Sequence, residues 1–183
     1  MELFGTHVFD CTGVDSSRTP LGSGGSPALG EAARRFAAGP DPRVSPRIAP
    51  AQPAAGVRAT VVGAGYSAAT SVLNLLCGGA DVTWVRRTPT AGGVYEVLGD
   101  DPLPRRRELC ERANAAAGGG KVREVVGDVA RLGDGELEVR TAGGGEAVVE
   151  FDRLYVNVGG RPDLDLCREL QVHTCYATEG PMK

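Results

Sequence analysis

The segment from residue 58 to residue 87 leaves this chain few folds to choose from. Arg58-Ala59-Thr60-Val61-Val62 is a short, β-branched, apolar run of the kind a buried strand requires. It passes directly into Gly63-Ala64-Gly65, then into a helix-compatible segment over 66–77 that Gly78-Gly79 stops, then into a second strand run, Asp81-Val82-Thr83-Trp84-Val85. Strand, glycine turn, helix and strand in so short a stretch make a βαβ unit, with parallel strands and a right-handed crossover. The sheet is therefore of α/β type. Residues 59–80 carry no charge and approach the ~20 apolar residues of a membrane span. However, Gly63, Gly65, Tyr66, Ser67, Thr70, Ser71 and Asn74 fit a strand, a turn and a helix better than a lipid-facing helix.

The turn itself carries chemistry. Gly63-Ala64-Gly65-Tyr66-Ser67-Ala68 matches G-x-G-x-x-[G/A]. In that pattern the first glycine makes the tight turn, the second lets backbone approach a pyrophosphate, and the third small residue keeps helix close to strand. The amino end of the following helix offers free N–H groups and the positive end of its dipole, which favour a diphosphate without side-chain charge. Ser67 adds a hydroxyl donor. In a chain with 27 glycines the hexapeptide alone is weak, and its place between a strand and a helix gives it weight. At the end of the second strand, an acidic residue would hold the ribose hydroxyls of NAD, whereas arginine suits a 2′-phosphate. Arg86 and Arg87 stand there and point to NADPH through bidentate, charge-assisted bonds.

The rest of the chain falls around this unit. Residues 6–13 read as a short strand ending in a glycine turn. Between residues 14 and 56, apart from a brief helical stretch over 28–38, glycines 22, 24 and 25 and prolines 40, 42, 46, 50 and 53 describe a connection without a core. A polar-faced helix is expected over 105–117 and a strand over 121–126. Residues 128–132, 136–141 and 146–151 then alternate apolar and polar positions across glycine turns, as an antiparallel meander does. Residues 154–158 form a last strand that runs into Gly159-Gly160-Arg161-Pro162-Asp163, followed by a short helix near 164–170. The expected fold is α/β: a Rossmann-like parallel sheet with a β-meander.

Charge and cysteines narrow the classes. A net charge of −3 gives no general attraction to nucleic acid or to an anionic membrane, so any anion site is local. Cysteines 11, 77, 110, 167 and 175 form no C-x-x-C pair, and with His7 and His173 the only histidines, no zinc spacing appears. No metal site is expected. Their odd count, with no amino-terminal signal, points to a reducing compartment, the cytoplasm. Cys175 near His173 and Glu179 resembles an activated nucleophile only by sequence proximity and is read as incidental. Asp10 and Asp163 read as turn or cap residues.

These motifs together resemble the two-dinucleotide-domain flavoproteins, which include thioredoxin reductase-like enzymes, the wider pyridine nucleotide-disulfide oxidoreductases and flavin-containing monooxygenases. The resemblance rests on residues 63–68, on Val85-Arg86-Arg87, on the meander, and on Val8-Phe9-Asp10-Cys11-Thr12-Gly13 and residues 156–163, which look like the family's paired Ala-Thr-Gly turns. It implies that residues 57–152 bind NADPH and that FAD is expected in the full-length protein. Residues 1–30 would be a partial FAD-domain segment, 31–56 a Pro/Gly-rich linker, and 153–183 a return segment toward the FAD domain. The cofactor-binding set is then Gly63, Ala64, Gly65, Tyr66, Ser67, Ala68, Arg86, Arg87 and Gly159, with no catalytic acid or base assigned.

Departures from the family leave its branch open. There is no amino-terminal G-x-G-x-x-G for FAD and no Gly-Asp turn near the carboxyl end, which reads as a fragment. No redox cysteine pair and no F-x-G-x-x-x-H run occur. The expected function is the NADPH-binding part of an FAD-dependent oxidoreductase that passes hydride from NADPH to flavin. The alternative is a non-catalytic nucleotide-binding module, or a truncated product without FAD. A single-domain dehydrogenase is a third reading, but no Tyr-Lys acid–base pair is visible. The expected partners are the nicotinamide dinucleotide, an electron acceptor of unknown identity and, in a homodimer, a second copy; nucleic acid and membrane are not expected.

Overall fold

The computed structural model describes residues 19–87, 102–160, 165–171, 174–175 and 180–181. The turn expected over residues 6–13, Arg161, Pro162 and Asp163 of the later turn, and the His173 and Glu179 pair lie outside them. Two compact units are present: Pro20–Gly159, and a second that joins Met1–Thr19 with Gly160–Lys183.

The larger unit is built on one mixed sheet. Its strands are β1 (Val44–Ser45), β2 (Arg58–Val62), β3 (Asp81–Arg86), β4 (Arg123–Leu132), β5 (Glu136–Thr141), β6 (Glu146–Glu150) and β7 (Arg153–Val156). They lie in the order β1-β7-β2-β3-β4-β5-β6. From β1 to β3 the pairings are parallel, and the first half of β4 continues this against β3. The helices α1 (Tyr66–Cys77) and α2 (Pro104–Gly118) are the crossovers that parallel neighbours need. Their small and apolar positions, Ala68, Val72 and Leu75 on α1 and Cys110, Ala113 and Ala117 on α2, pack with Ala59, Val61, Val82 and Trp84 on one face of the sheet. On the other face, Val62, Val85, Leu154 and Val156 pack with Leu137, Val139, Val149 and Phe151 of the meander. Burial on both faces explains why β2 and β3 read as continuous apolar runs, while β5 and β6 alternate.

The two strands expected at 121–126 and 128–132 are one. Up to Val126, β4 pairs with β3, and from Gly127 onward it pairs antiparallel with β5. Gly127 reads in sequence as a break, yet a Cβ there would run into the backbone of Arg140, so the glycine serves close strand approach. Beyond it, a bulge between Val129 and Arg131 leaves the Ala130 carbonyl to accept a bond of 3.0 Å from the Leu29 amide.

That bond belongs to a segment that packs closely on the sheet. Residues 31–56, expected to be a linker without a core, pack into the same unit as the βαβ motif, and the unit reaches beyond 57–152 at both ends. Strand β1 pairs with β7, and β7 lies inside the sheet beside β2 instead of starting a departing segment. Glu31 is fully buried; its carboxylate pairs with Arg35 and accepts from the amides of Leu21 and Ala28. The brief helical stretch is a single π-helical turn, Ala32–Phe36. Asp41 accepts from the backbone amide of Arg43 at 3.0 Å and from its guanidinium at 2.7 Å, while Arg43 also reaches Asp134 in the β4–β5 turn. Apart from Arg43 with Asp134 these partners are close in sequence, but they bond through individual side chains, and composition shows only the prolines and glycines among them.

In the second unit a short helix, α3 (Asp165–Glu169), and a two-residue ladder of β8 (Thr174–Cys175) with β9 (Gly180–Pro181) are described. Cys167 is buried on α3.

Two outcomes follow from the packing. The hydrogen bond from Arg43, helped by its charge, holds Asp41 down from the usual 3.8 to about 2. A carboxylate depressed on folding contributes stability that is complete above its unfolded pKa and lost as pH falls through the folded one. Asp41→Asn should therefore destabilise the chain at neutral pH, with the difference from wild type shrinking between pH 4 and pH 2 in urea melts; a constant difference would contradict it. Thr60 Oγ1 is buried and finds no hydrogen-bond partner among the described residues. Thr60→Val removes that unmet donor and should raise stability by about 1 kcal/mol, seen as a higher denaturant midpoint.

Candidate functional site

The carboxyl ends of β2, β3 and β7 meet at a cleft of about 440 Å³. This volume lies within the range of small-molecule sites, and its place is where open parallel sheets bind ligands. Gly63, Ala64 and Gly65 form its floor together with Asn157, Val158 and Gly159; Val62, Val85, Val129, Gly127 and Leu21 make apolar walls; Arg86 and Arg87 stand at its end.

The floor is fixed from several directions. Gly63 sits at φ +128°, which side chains rarely adopt, and a Cβ on it would strike the carbonyl oxygen of Asn157. The Gly63 amide donates to the Val85 carbonyl at 3.0 Å, and the Asn157 amide donates to the Val62 carbonyl at 2.8 Å. From β3, Trp84 Nε1 donates to the Gly63 carbonyl at 2.6 Å. Beneath the turn, Ser71 Oγ donates to Asn157 Oδ1 at 2.6 Å and accepts from the Ala49 amide at 3.0 Å. Asn157 Nδ2 reaches the Arg47 carbonyl.

Gly65 is different. Its φ is −93°, and a Cβ there would meet nothing within 4 Å, so this glycine keeps open the space above the start of α1. No side chain caps α1 and no acidic residue lies in its first turn, so its first amides and positive dipole end stay available to an anion.

The two arginines have different surroundings. Arg86 is nearly buried, bonded to Glu124 of β4 at 2.9 Å, and its guanidinium lies 5.6 Å from the centre of the Trp84 ring. Arg87 is half exposed; its Nη2 donates to the carbonyls of Leu21 at 2.9 Å and Gly22 at 2.5 Å, and its Nε lies 3.5 Å from Asp128. Each arginine thus faces a carboxylate from β4.

Of the residues expected from sequence, Gly63, Ala64, Gly65, Arg86, Arg87 and Gly159 line the cleft. Ala68 does not; it is fully buried under the turn. Tyr66 and Ser67 are not among the lining residues either, and Tyr66 is exposed. Leu21, Gly127, Val129 and Asn157 were not legible as site residues. A polar Asn157 inside an apolar strand run was the one available signal. Among the described residues no group of His, Cys, Asp and Glu is placed to hold a metal, and no helix is long and apolar enough to cross a membrane.

With this geometry the chain shares its Rossmann-like α/β fold with solved structures of much longer proteins. In particular it is similar to a bacillithiol disulfide reductase from Bacillus cereus, at a TM-score of 0.68 and 17% identity over 90% of this chain and 44% of that one. The enzyme of the same description from Staphylococcus aureus gives 0.67 and 18% over 90% and 45%. Histamine dehydrogenase from Rhizobium sp. 4-9 gives 0.51 and 15% over 75% of this chain and 22% of that one. The chain spans less than half the length of these structures. No protein-family model and no curated protein matches the sequence.

The contrast between the two glycines is testable. Gly63→Ala should cost about 3 kcal/mol of stability, because a strained φ and a backbone clash arise together. Gly65→Ala should melt within about 0.5 kcal/mol of wild type, because a Cβ there meets nothing within 4 Å. Denaturant melts of both variants decide, and a Gly63→Ala protein as stable as wild type would contradict the contact with Asn157.

Proposed function

We propose that the cleft binds NADPH and that the chain is the nucleotide-binding part of an FAD-dependent oxidoreductase. The observation that carries this reading is the pair of glycines at the start of α1: one presses backbone against backbone, and the other holds open a space beside an uncapped helix end. A pyrophosphate suits that space, because backbone amides and the helix dipole supply its counter-charge. Gly65 and the first turn of α1 would hold the diphosphate, Gly159 and Val158 would border the nicotinamide half, and Arg87 would face the adenosine ribose. When bound, NADPH supplies the hydride and a flavin held by a flanking domain accepts it, while this chain contributes orientation.

Among the arginines, Arg87 is the one that reads a 2′-phosphate. Its guanidinium is half exposed at the cleft, and its bonds to the two carbonyls hold it in one place. Arg86 is committed to Glu124 and to the face of Trp84, so it supports the turn. Because Glu124 and Asp128 balance both charges, the preference for NADPH over NADH is modest, resting on directed bonds more than on net field.

Calorimetric titration of the purified chain with NADPH and NADH tests the reading. NADPH should bind more tightly, Arg87→Ala should weaken NADPH by about tenfold and leave NADH unchanged. Equal affinity for the two nucleotides would sink the NADPH assignment.

A further inference from the structure

One wall of the cleft comes from outside the βαβ unit. Leu21 lines the cleft although it lies 42 positions before Gly63 in the chain, and it is 1% exposed. Its backbone is held on both sides. The Leu21 amide donates to both carboxylate oxygens of Glu31, at 3.0 and 2.9 Å, and its carbonyl accepts from Arg87. Glu31 Oε2 also takes the Ala28 amide at 2.8 Å, closing residues 21–31 into a loop around one buried carboxylate. Arg35, itself nearly buried, neutralises that carboxylate. Two bonds with Ala130 and Leu132, at 3.0 and 2.8 Å through Leu29, tie the loop to β4.

A carboxylate with no exposure is expensive unless every acceptor position is used. Here it is used on the loop's own amides, and what the loop presents to the cleft is Leu21 beside Val85, Val129 and Arg87. That is the end of the cleft next to the second strand's arginines, where a Rossmann site receives the adenosine half of a dinucleotide. An apolar wall beside a fixed guanidinium suits a planar aromatic ring with an adjacent phosphate.

We propose that Glu31 is a positioning residue that folds residues 21–31 against the adenosine end of the cleft, where the Leu21 carbonyl holds Arg87 in place and the buried Leu21 side chain backs the apolar wall. The proposal rests on the dinucleotide reading of the cleft. It makes adenosine recognition depend on a loop that the nucleotide motif does not contain, and it links that loop to 2′-phosphate recognition through the shared Arg87.

Calorimetry with three probes tests it: NADPH, adenosine 2′,5′-bisphosphate as the adenosine half, and nicotinamide mononucleotide as the other half. Glu31→Gln and Leu21→Ala should each weaken NADPH and adenosine 2′,5′-bisphosphate by about tenfold and leave nicotinamide mononucleotide unchanged. A merely structural role would weaken both halves alike, and that outcome overturns the proposal. So does wild-type affinity for the adenosine half in both variants. If Glu31→Gln fails to fold, Leu21→Ala, which leaves the carboxylate and its bonds in place, decides alone. Wild-type protein that binds none of the three probes overturns the dinucleotide reading and this proposal with it.

Discussion

The carboxyl edge of the sheet is organised by one backbone contact, that between the turn at Gly63 and the strand end at Asn157. No side chain fits between them. Because β7 lies directly beside β2, with Val62 opposite Val156, the chain leaving each strand must separate immediately after this contact, and the separation opens the cleft. Trp84 adds the third side by fixing the carbonyl of Gly63. A parallel sheet diverging at its carboxyl edge is where such folds place ligands. The contact is local, but it joins residues 94 positions apart.

Buried polar bonds carry much of the longer-range organisation. Ser71 and Asn157 connect α1 to the end of β7, and both hold the segment at residues 47–49. Glu31 gathers the loop before it, and Asp41 with Arg43 ties the next segment to the turn between β4 and β5. The bonds of Ser71, Asn157 and Glu31 each save a buried group from being left unmet, a loss of about 1–3 kcal/mol apiece in mutational series. A stretch rich in proline and glycine is therefore held in place by a few polar anchors more than by an apolar stripe.

Charge at the cleft is balanced and directional. β4 supplies Glu124 and Asp128 opposite Arg86 and Arg87, so the arginines contribute aimed donors without a strong local field. The burial difference divides their work: Arg86 braces the Trp84 side of the turn, and Arg87 is presented at the opening. Arg86 is the last residue of β3 and is held against Glu124 and Trp84, whereas Arg87 is the first residue beyond the strand.

The sequence by itself determined the local elements, the glycine turn among them. The helix over 66–77, the strand beginning at Asp81, the α2 helix and the alternating meander all follow from hydrophobic period and glycine stops. Of the pattern at 63–68, residues 63–65 line the cleft, because a turn's conformation is written in neighbouring residues. Only the tertiary structure decided that residues 20–56 join the same unit, that β7 inserts beside β2, that Leu21 and Asn157 reach the cleft, and which arginine faces it. Those outcomes depend on single hydrogen bonds and close backbone contacts between residues far apart in the chain, and such contacts leave no periodic signature in the residues that make them.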